Sequence, residues 1–572
     1  MANGFGSLYV GSSGLQNAQT ALNVTANNLA NVDTKGYVRE QVRFSDKHYA
    51  TLQQVTSKTN IQQSGLGVSI GDVVHARDIF LDKAYRQENS RLGFYETCYE
   101  TTTYVEDLFQ ELDGERFKES VGDLWTAFQE LSKSPADSTN QNLVLQKAEL
   151  LVSRCQALYS DLQNYQSNIN TQIQDDINRV NEIGNRIYQI NLEIQKVESG
   201  KVETAMTLRD ERDRLIDELS AYTDINVKED ATGFVFVEID GVQFVDEGCC
   251  HNIGMQKAKG TGFVTPYWPN LSDVKNDEYV PVWKTVGNIT ISSELGNDVG
   301  SIKAKLLARG EGYGGWEDLQ TDDAYGEIRN SILVETEAQI DSLFHNIITS
   351  INDIFAPTKE ITLTAAYTDA AGNTYQAGDT IRVLDEEKAS YGADNELPPR
   401  ELFTRIGVPR FTKTTLNGQE YYVYNAENPD NTNSHYAIGS VSVNEDLKKQ
   451  ITLMPAFTKN GAVNYELGRE LAEAWDKEGM YISPEDKYPC NFGNFYDKII
   501  GNLGTTGSIY YSATDTLTNT VTSVENQRQQ VTGVSSDEEL TKMIKYQSAY
   551  NAASRYITVI SQMTELIVTG LI

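Results

Sequence analysis

An unusually long heptad pattern in the first third of this chain constrains its fold most strongly. Isoleucine and valine recur every seven positions from Ile173 to Ile194, in a stretch from about Leu143 to Val197 that reads as helix throughout. This spacing draws one apolar stripe along a single continuous helix. At 1.5 Å per residue, the fifty-odd residues span roughly 80 Å, more than a compact domain. We therefore expect an elongated molecule. The stripe consists of Ile173, Val180, Ile187 and Ile194, with Ile183, Ile190 and Val197 beside it.

Shorter helices are predicted on both sides of this long one. Residues 80–135 read as mostly helical, with Trp125 and Phe128 on the core face. The segment TAMTLRDERDRLIDELSAYT returns as a second helix after the turn ESGK. A further helix is predicted from Tyr325 to Phe355.

Two inner segments change to strand patterns. The sequence GFVFVEIDGVQFVDEG alternates apolar and polar residues around Asp240–Gly241, which predicts a hairpin with a type I′ turn. We expect an α+β fold: an elongated multidomain chain with terminal coiled-coil helices and a long-helix trunk that carries inserted β-rich domains. The predicted division is 1–60 with 515–572 as a terminal polymerisation region, 61–223 with 325–355 and 436–514 as the helical trunk, and 224–324 and 356–435 as β-rich insertions.

Both ends of the chain carry a further heptad seam. At the N-terminus it runs through Leu15, Leu22 and Leu29. At the C-terminus two stripes follow a helix start at Ser535 or Ser536; they consist of Met543, Tyr550, Ile557 and Thr564, and of Tyr546, Ala553, Ile560 and Ile567. These helices either dock within the monomer, on their own domains or on each other, or wait for neighbouring copies. Periodicity leaves both alternatives open.

Charge and hydropathy restrict the possible partners. The net charge is −33 in 572 residues, which repels phosphate backbones and anionic lipid and argues against nucleic acid and membranes as partners. No apolar run is long enough to span a bilayer. The first twenty residues lack the basic and apolar regions of a signal peptide, so we expect cytoplasmic location or export without a cleaved signal.

The sequence contains no pattern that predicts catalysis. The histidines begin no HExxH motif, and GEGYGG lacks the Lys–Ser/Thr end of a phosphate loop. Cys249, Cys250 and His251 are adjacent, but no second ligand pair follows at zinc-like spacing. We therefore predict no catalytic residue, no cofactor and no metal ligand.

The two ends resemble the motifs of bacterial flagellar axial proteins, the rod, hook and hook-associated family. ANNLANVDTKGYVRE is similar to the family's N-terminal motif, although Lys35 replaces the usual proline, which should make the turn less rigid. SSDEELTKMIKYQSAYNAASRYITVISQMTELI is similar to its C-terminal motif. The matching residues are Asn27, Asn28, Leu29, Asn31, Gly36 and Tyr37, and Glu538, Glu539, Leu540, Tyr546, Gln547, Tyr550 and Ala553.

Three internal stretches are similar to the hook-associated members of that family: residues 73–88, 208–227 and 524–539. The resemblance implies a non-enzymatic, extracellular flagellar protein that joins hook to filament through bundled terminal helices. It implies as partners the hook protein, a second junction protein (hook-associated protein 3), further copies in a helical assembly, and an export chaperone for the C-terminal helix.

The resemblance also implies an assembly site on the terminal helices. Its predicted residues are Leu15, Leu22, Asn27, Asn28, Leu29, Asn31, Gly36, Tyr37, Leu540, Met543, Tyr546, Tyr550, Ile557 and Ile560. Two alternatives remain open. One is another axial protein, of the hook or distal rod. The other is an exported enzyme with axial-protein ends. Only residues 357–435 could then hold its catalytic insert.

Overall fold

Helices dominate the computed structural model, which describes residues 2–34, 36–47, 50–54, 61–111, 114–200, 204–285, 287 and 289–570. In chain order the helices of this part are α1 (Ala2–Ala30), α2 (Ile79–Glu111), α3 (Gly114–Lys133), α4 (Ser138–Glu198), α5 (Met206–Tyr222), α6 (Ser301–Arg309), α7 (Asp322–Ile328), α8 (Ile332–Phe355), α9 (Glu445–Lys449), α10 (Tyr465–Glu473), α11 (Phe492–Thr532) and α12 (Ser536–Thr569).

The strands of the described part are short, and every pair of them is antiparallel. They are β1 (Glu40–Asp46), β2 (Ala50–Gln54), β3 (Ile61–Ser64), β4 (Val68–His75), β5 (Ile225–Glu229), β6 (Val235–Ile239), β7 (Val242–Val245), β8 (Gly254–Lys257), β9 (Val264–Tyr267), β10 (Thr358–Thr362), β11 (Tyr367–Thr368), β12 (Thr374–Tyr375), β13 (Thr380–Leu384), β14 (Phe403–Arg405), β15 (Phe411–Leu416), β16 (Gln419–Tyr424) and β17 (Val441–Val443). The largest sheet has the order β10-β13-β16-β15, and a three-stranded sheet has the order β5-β6-β7.

The predicted long helix is confirmed as α4, which contains 61 residues and extends for about 90 Å at the usual rise. Asp137 caps its N-terminus by accepting a hydrogen bond from the Thr139 backbone N–H at 2.9 Å. The predicted stripe is buried throughout, from Ile173 to Ile194. The heptad pattern therefore marks the face of α4 that packs into the core.

One main hydrophobic core follows α4 along its length. α3, α5, α6 and α8 pack against this helix, and α11 packs along α2. The core continues into the three-stranded sheet through buried residues such as Phe234 and Phe244. The segment after residue 224 is thus joined to the trunk by apolar packing as well as by chain connection.

The hairpin prediction is confirmed by β6 and β7. Asp240 and Gly241 form its turn, with φ angles of 47° and 79°. Positive φ at both central positions is the requirement of a type I′ turn.

The predicted helix from Tyr325 to Phe355 is divided into α7 and α8. Ser331 ends the first part because it caps the second: its Oγ accepts from the Val334 N–H at 3.4 Å and donates to the Ala308 carbonyl at 2.9 Å. Helix α6 was missed within a segment predicted to be strand-rich. Its sequence, SIKAKLLAR, begins by alternating polar and apolar residues, which is the pattern of a strand, and Lys303 and Arg309 are buried together with the apolar residues.

The segment 357–435 is strand-rich, as predicted, and contains two small cores of its own. One centres on Val383 and Val423 of the four-stranded sheet, and the other on Leu384 and Phe411. None of the described helices combines the length and apolar character needed to cross a membrane.

Candidate functional site at the paired terminal helices

The two terminal helices pack against each other in antiparallel orientation. Gly11 of α1 lies opposite Ile557 of α12, and Gly14 lies opposite Ala553. A methyl group added at Gly11 would lie 2.8 Å from Ile557 Cγ1, which shows how closely the helices approach. The absence of a side chain at Gly11 therefore allows this contact.

The α1 positions that face the partner helix are small. Ala18 and Ala21 are buried on this side, in heptad register with Gly11 and Gly14. The predicted residues Leu15, Leu22 and Leu29 lie beside this stripe and are half-buried. The seven-residue spacing predicts a seam of leucines with Ala18 between them, but close helix approach favours the small residues.

The predicted stripe of α12 lies on one side of that helix. Met543, Tyr546, Tyr550, Ile557 and Ile560 are all half-buried there. Tyr546 also contacts the β1–β4 hairpin, since its ring centroid lies 6.2 Å from that of Phe44. Leu540, by contrast, is 45% exposed.

The opposite side of α12 carries a second apolar stripe. Ile544, Val559, Met563 and Leu566 are between 50% and 72% exposed. At 100° per residue they lie on the side away from the α1 contact. We call these residues the outer apolar face; no described residue covers it.

Asn28 connects the end of α1 to the start of α12. It is 1% exposed. Its Oδ1 accepts hydrogen bonds from the Tyr37 hydroxyl (2.8 Å) and the Glu40 N–H (3.0 Å). Its Nδ2 donates to the Glu40 carbonyl (2.9 Å) and to Glu539 Oε2 (3.1 Å). The side chain thereby joins residues that are more than five hundred positions apart.

The remaining predicted turn residues surround Asn28. Asn31 Nδ2 donates to the Asn27 carbonyl at 3.0 Å, and Thr34 Oγ1 donates to Asn31 Oδ1 at 3.2 Å. Gly36 has a φ of +83°, as its predicted role requires. Burial raises the pKa of the Tyr37 hydroxyl, which therefore remains a donor. Lys35 lies outside the described residues.

The N-terminus of α12 is held by a cap and an ion pair. Ser535 accepts a hydrogen bond from the Glu538 N–H, which selects this serine from the two candidates. Glu538 pairs with Arg39 at 3.1 Å, and the Arg39 N–H donates to the Thr532 carbonyl at 2.8 Å. The turn after α1 thus contacts both α11 and α12.

A second polar cluster fixes α11 against the trunk. Arg528 of α11 contacts Asp82 of α2 at 2.9 Å and Asp217 of α5 at 2.7 Å. Its guanidinium also lies 4.3 Å from the ring centre of Tyr85. We call these four residues the trunk latch.

Further ion pairs extend the latch toward the N-terminal turn. Arg77 pairs with Asp82 and with Asp213, while Arg86 pairs with Asp217 at 2.6 Å. The Val38 N–H donates to Asp210 Oδ2 at 3.3 Å. The three internal stretches, 73–88, 208–227 and 524–539, therefore meet at one place.

Sequence reasoning missed the residues that make these cross-connections. Glu539 was recognised only as a motif residue and a possible capping partner, and Glu40 and Arg39 carried no local signal. Alternation of Arg and Asp in LRDERDRLIDEL was the one usable indication of a charge network. Partners separated by hundreds of residues leave no spacing pattern.

Metal-ligand residues lie elsewhere in the molecule. Among the described residues, one group of such side chains converges closely: Asp246, Cys249 and His251, after β7. It is not part of the terminal helix pair.

Three protein families match separate parts of the chain. Residues 102–357 match the flagellar hook-associated protein FlgK helical domain. Residues 8–37 match the flagella basal body rod protein family, and residues 525–569 match the C-terminal family of the flagellar basal body rod FlgEFG proteins. The two end matches include most of α1 and α12.

Full-length relatives align with almost the whole chain. Flagellar hook-associated protein 1 of Bacillus subtilis is 24% identical, over 97% of this chain and 96% of its own. The protein of the same name from Salmonella typhimurium is 21% identical, over 95% of this chain and 96% of its own. A solved structure of the flagellar hook junction protein FlgK from Burkholderia pseudomallei aligns with 79% of this chain and 100% of its own, at 12% identity and a TM-score of 0.49.

Proposed function

The chain belongs to the flagellar hook-associated protein 1 family, and we infer that it is a structural component of the junction between flagellar hook and filament. The observation that carries this inference is the pairing of the two family-matched ends. They form one antiparallel helix pair, and its outer apolar face is available to further subunits.

We propose that this helix pair is the assembly element. Burying an apolar side chain of the size found on the outer apolar face contributes roughly 1.5–3 kcal/mol. A contact in which this face packs on a different surface of the next copy does not close on itself and produces a helical assembly. The predicted seam residues of α1 and α12 then hold the pair together within each subunit.

The proposed division of labour follows the predicted domains. Residues 1–60 with 515–572 polymerise, the trunk of 61–223, 325–355 and 436–514 transmits load, and the insertions 224–324 and 356–435 project outward. The trunk latch supports this proposal, because it ties α11, which leads into the polymerising end, to α2 and α5 through buried ion pairs. Mechanical force on the terminal helices would reach the trunk through these contacts.

The proposed partners are those of a junction. Hook protein lies on one side, hook-associated protein 3 on the other, and copies of this chain lie between them. An export chaperone that covers the C-terminal helix before assembly fits the exposed apolar residues of α12. Nucleic acid and membrane surfaces are not proposed as partners, because the net charge of −33 repels them.

Localisation and lack of catalysis belong to the same proposal. The relatives are flagellar structural proteins, and we propose that this chain reaches the flagellum without a cleaved signal peptide and acts without enzymatic activity. Its mechanism is adaptation between two polymers of different stiffness.

The first test is electron microscopy of cells that lack this gene, with detection of flagellin in the medium. Bare hooks and shed flagellin are expected. Missing hooks would place the protein in the rod or hook instead. Intact filaments would contradict a junction role altogether.

A second test addresses the outer apolar face. Cells that carry Val559→Ser with Leu566→Ser are expected to shed flagellin, whereas Gln562→Ser, a polar change beside the same face, is expected to retain filaments. Equal retention in both strains would remove the outer apolar face from the assembly mechanism.

A further inference from the structure

Three side chains with metal-ligand chemistry converge in the loop that follows β7. Asp246 Oδ2 lies 2.8 Å from His251 Nε2, and Cys249 Sγ lies 3.8 Å from His251 Nδ1 and 4.0 Å from Nε2. One ligand atom from each of the three residues lies within 4.8 Å of the others. A single ion bonded at roughly 2.0–2.3 Å to each ligand fits among atoms at these separations after small side-chain shifts.

Backbone hydrogen bonds hold the loop in this shape. The Asp246 N–H donates to the Cys249 carbonyl at 3.1 Å, and the His251 N–H donates to the Phe244 carbonyl at 2.8 Å. The Tyr188 hydroxyl of α4 donates to the Gly248 carbonyl at 3.0 Å. The spacing of the three ligands is therefore fixed by the hairpin and by its contact with the long helix.

The Asp246 carboxylate is oriented in the same way. Its Oδ1 accepts hydrogen bonds from the Gly248 N–H (2.8 Å) and the Cys249 N–H (2.9 Å), which leaves Oδ2 directed toward His251. An oriented carboxylate with one oxygen directed toward His251 is ready to bind a cation.

We propose that Asp246, Cys249 and His251 form a binding site for a divalent transition-metal ion of the zinc class. Thiolate, imidazole and carboxylate together are typical ligands of Zn²⁺, whereas Ca²⁺ and Mg²⁺ select oxygen ligands. The three groups are partly exposed, so water completes the coordination. The ion would take the place of the direct contact between Asp246 and His251. It would thereby cross-link the loop.

The neighbouring thiol provides an internal control. Cys250 is half-buried, and its Sγ lies near Gly184 of α4. This thiol is not among the side chains that converge with His251. Of the two adjacent cysteines, only Cys249 therefore contributes to the site.

Sequence reasoning rejected a metal here because no second Cys or His pair follows at zinc-like spacing. The third ligand is instead an aspartate that lies upstream of the cysteine pair. An aspartate in an acidic chain is not a distinctive signal, and the turn after β7 brings it into place. The proposal is independent of the junction role.

The test uses the purified full-length chain, reduced and freed of metal by chelation. Zn²⁺ is titrated by calorimetry, and Co²⁺ is added as a spectroscopic probe of thiolate coordination. One equivalent of either ion is expected to bind, with a Co²⁺–thiolate charge-transfer band.

Matched variants identify the ligands. Cys249→Ser is expected to abolish the band, and His251→Asn and Asp246→Asn to weaken binding at least about tenfold. Cys250→Ala and Glu247→Gln are expected to bind like the unaltered chain, and circular dichroism confirms that all variants are folded. Loss of the band in Cys250→Ala, its retention in Cys249→Ser, or the absence of stoichiometric binding would each overturn the proposal.

Discussion

A single amide side chain joins the two ends of the chain. Asn28 uses its oxygen as an acceptor toward Tyr37 and the Glu40 N–H, and its nitrogen as a donor toward the Glu40 carbonyl and Glu539. A carboxylate has no donor and a hydroxyl has only one, so asparagine fits this position. The motif residue is thus explained by hydrogen bonding between distant segments as well as by the local turn.

We predict that Asn28→Asp loosens the N-terminal turn. The substitution removes both donated hydrogen bonds and places a negative charge next to Glu539, at a cost of about 1–3 kcal/mol. Hydrogen exchange of residues 36–46 should accelerate. Asn23→Asp, at an exposed position of the same helix, is the matched control. Glu539→Gln should rescue the first variant, because its amide can donate to the new carboxylate. Unchanged exchange in Asn28→Asp would contradict the assigned role.

The carboxyl group of Glu337 on α8 is fully buried. Its Oε2 accepts a hydrogen bond from the Gly314 N–H at 2.7 Å, while Oε1 has no partner. Burial, with smaller contributions from Asp318 and Asp341, raises the pKa of Glu337 to about 8. The group is therefore largely protonated at neutral pH.

We predict that Glu337→Gln makes the fold less sensitive to alkaline pH. Because folding raises the pKa of Glu337 above its ordinary 4.5, the resulting stability is complete below that value and is lost as pH rises through about 8. The melting temperature of the variant should therefore exceed that of the unaltered chain by a few degrees near pH 8.5, and by less near pH 5. Glu327→Gln, an exposed change, should show no such trend. A difference in melting temperature that does not change with pH would exclude the ionisation of Glu337 as its cause.

At the scale of elements, periodicity predicted helices better than it predicted contacts. The α4 stripe from Ile173 to Ile194 is buried, because a heptad of large apolar residues reports the buried side of a helix directly. The predicted α12 stripe is only half-buried, and its last member, Ile567, is 56% exposed. In α1 the contact runs through Gly11, Gly14, Ala18 and Ala21, whose small size carries little hydrophobic signal. α6 was not predicted because polar and apolar residues alternate at its start and two of its cationic residues are buried, so its sequence shows no clear 3.6-residue period.

We predict that Gly11→Ala impairs junction assembly and that Gly14→Ala does not. Both substitutions improve helix propensity by about 1 kcal/mol. Only at Gly11 does the added methyl group meet Ile557, at 2.8 Å; at Gly14 it lies 3.7 Å from Ala553 Cβ, an ordinary contact. Flagellin shed into the medium, normalised to the amount of variant protein, is the measurement. Ile557→Ala, which removes the Cγ1 atom that the added methyl group would meet, should restore filament retention to Gly11→Ala if helix separation is the defect. Equal shedding by both glycine variants would contradict this explanation.

The trunk latch is the element contact that we expect to be most sensitive to substitution. Arg528 is 11% exposed and faces Asp82 and Asp217, which are 8% and 19% exposed. We predict that Arg528→Ala destabilises the packing of α11 on α2 by roughly 3 kcal/mol, because it leaves buried carboxylates with fewer cations. Urea unfolding of the full chain provides the measurement. The comparison is Arg179→Ala, which breaks an ion pair with Glu218 in which the Arg179 side chain is 42% exposed. This variant should lose less than about 1 kcal/mol of stability. If the two variants lose similar free energies of unfolding, burial does not strengthen the ion pairs of the trunk latch.

At the scale of the whole molecule, the sequence predicted a nested, elongated architecture, but it could not predict how the parts join. The main core continues from α4 into the β5–β7 sheet, and no local pattern shows on which helix a sheet will pack. The segment 357–435 also reaches this core, through Leu402 and Phe403, and it has two small cores besides. Short strands separated by turns indicate the fold class of such a segment and leave the strand order β10-β13-β16-β15 undetermined.

The distribution of burial leads to a prediction about the free subunit. In α12 the one fully buried side chain is Glu539, whereas α4 has a buried residue on nearly every turn. Elements with few buried contacts open at low free energy. We therefore predict that dilute chain is monomeric, with fast hydrogen exchange in residues 10–30 and 540–567 and slow exchange in α4. In isolated hook–filament junctions the same terminal segments should become protected, because neighbouring copies cover the outer apolar face. Slow exchange of both ends in the free monomer would mean that the helix pair is already stable, and assembly would then be docking of preformed surfaces instead of coupled folding.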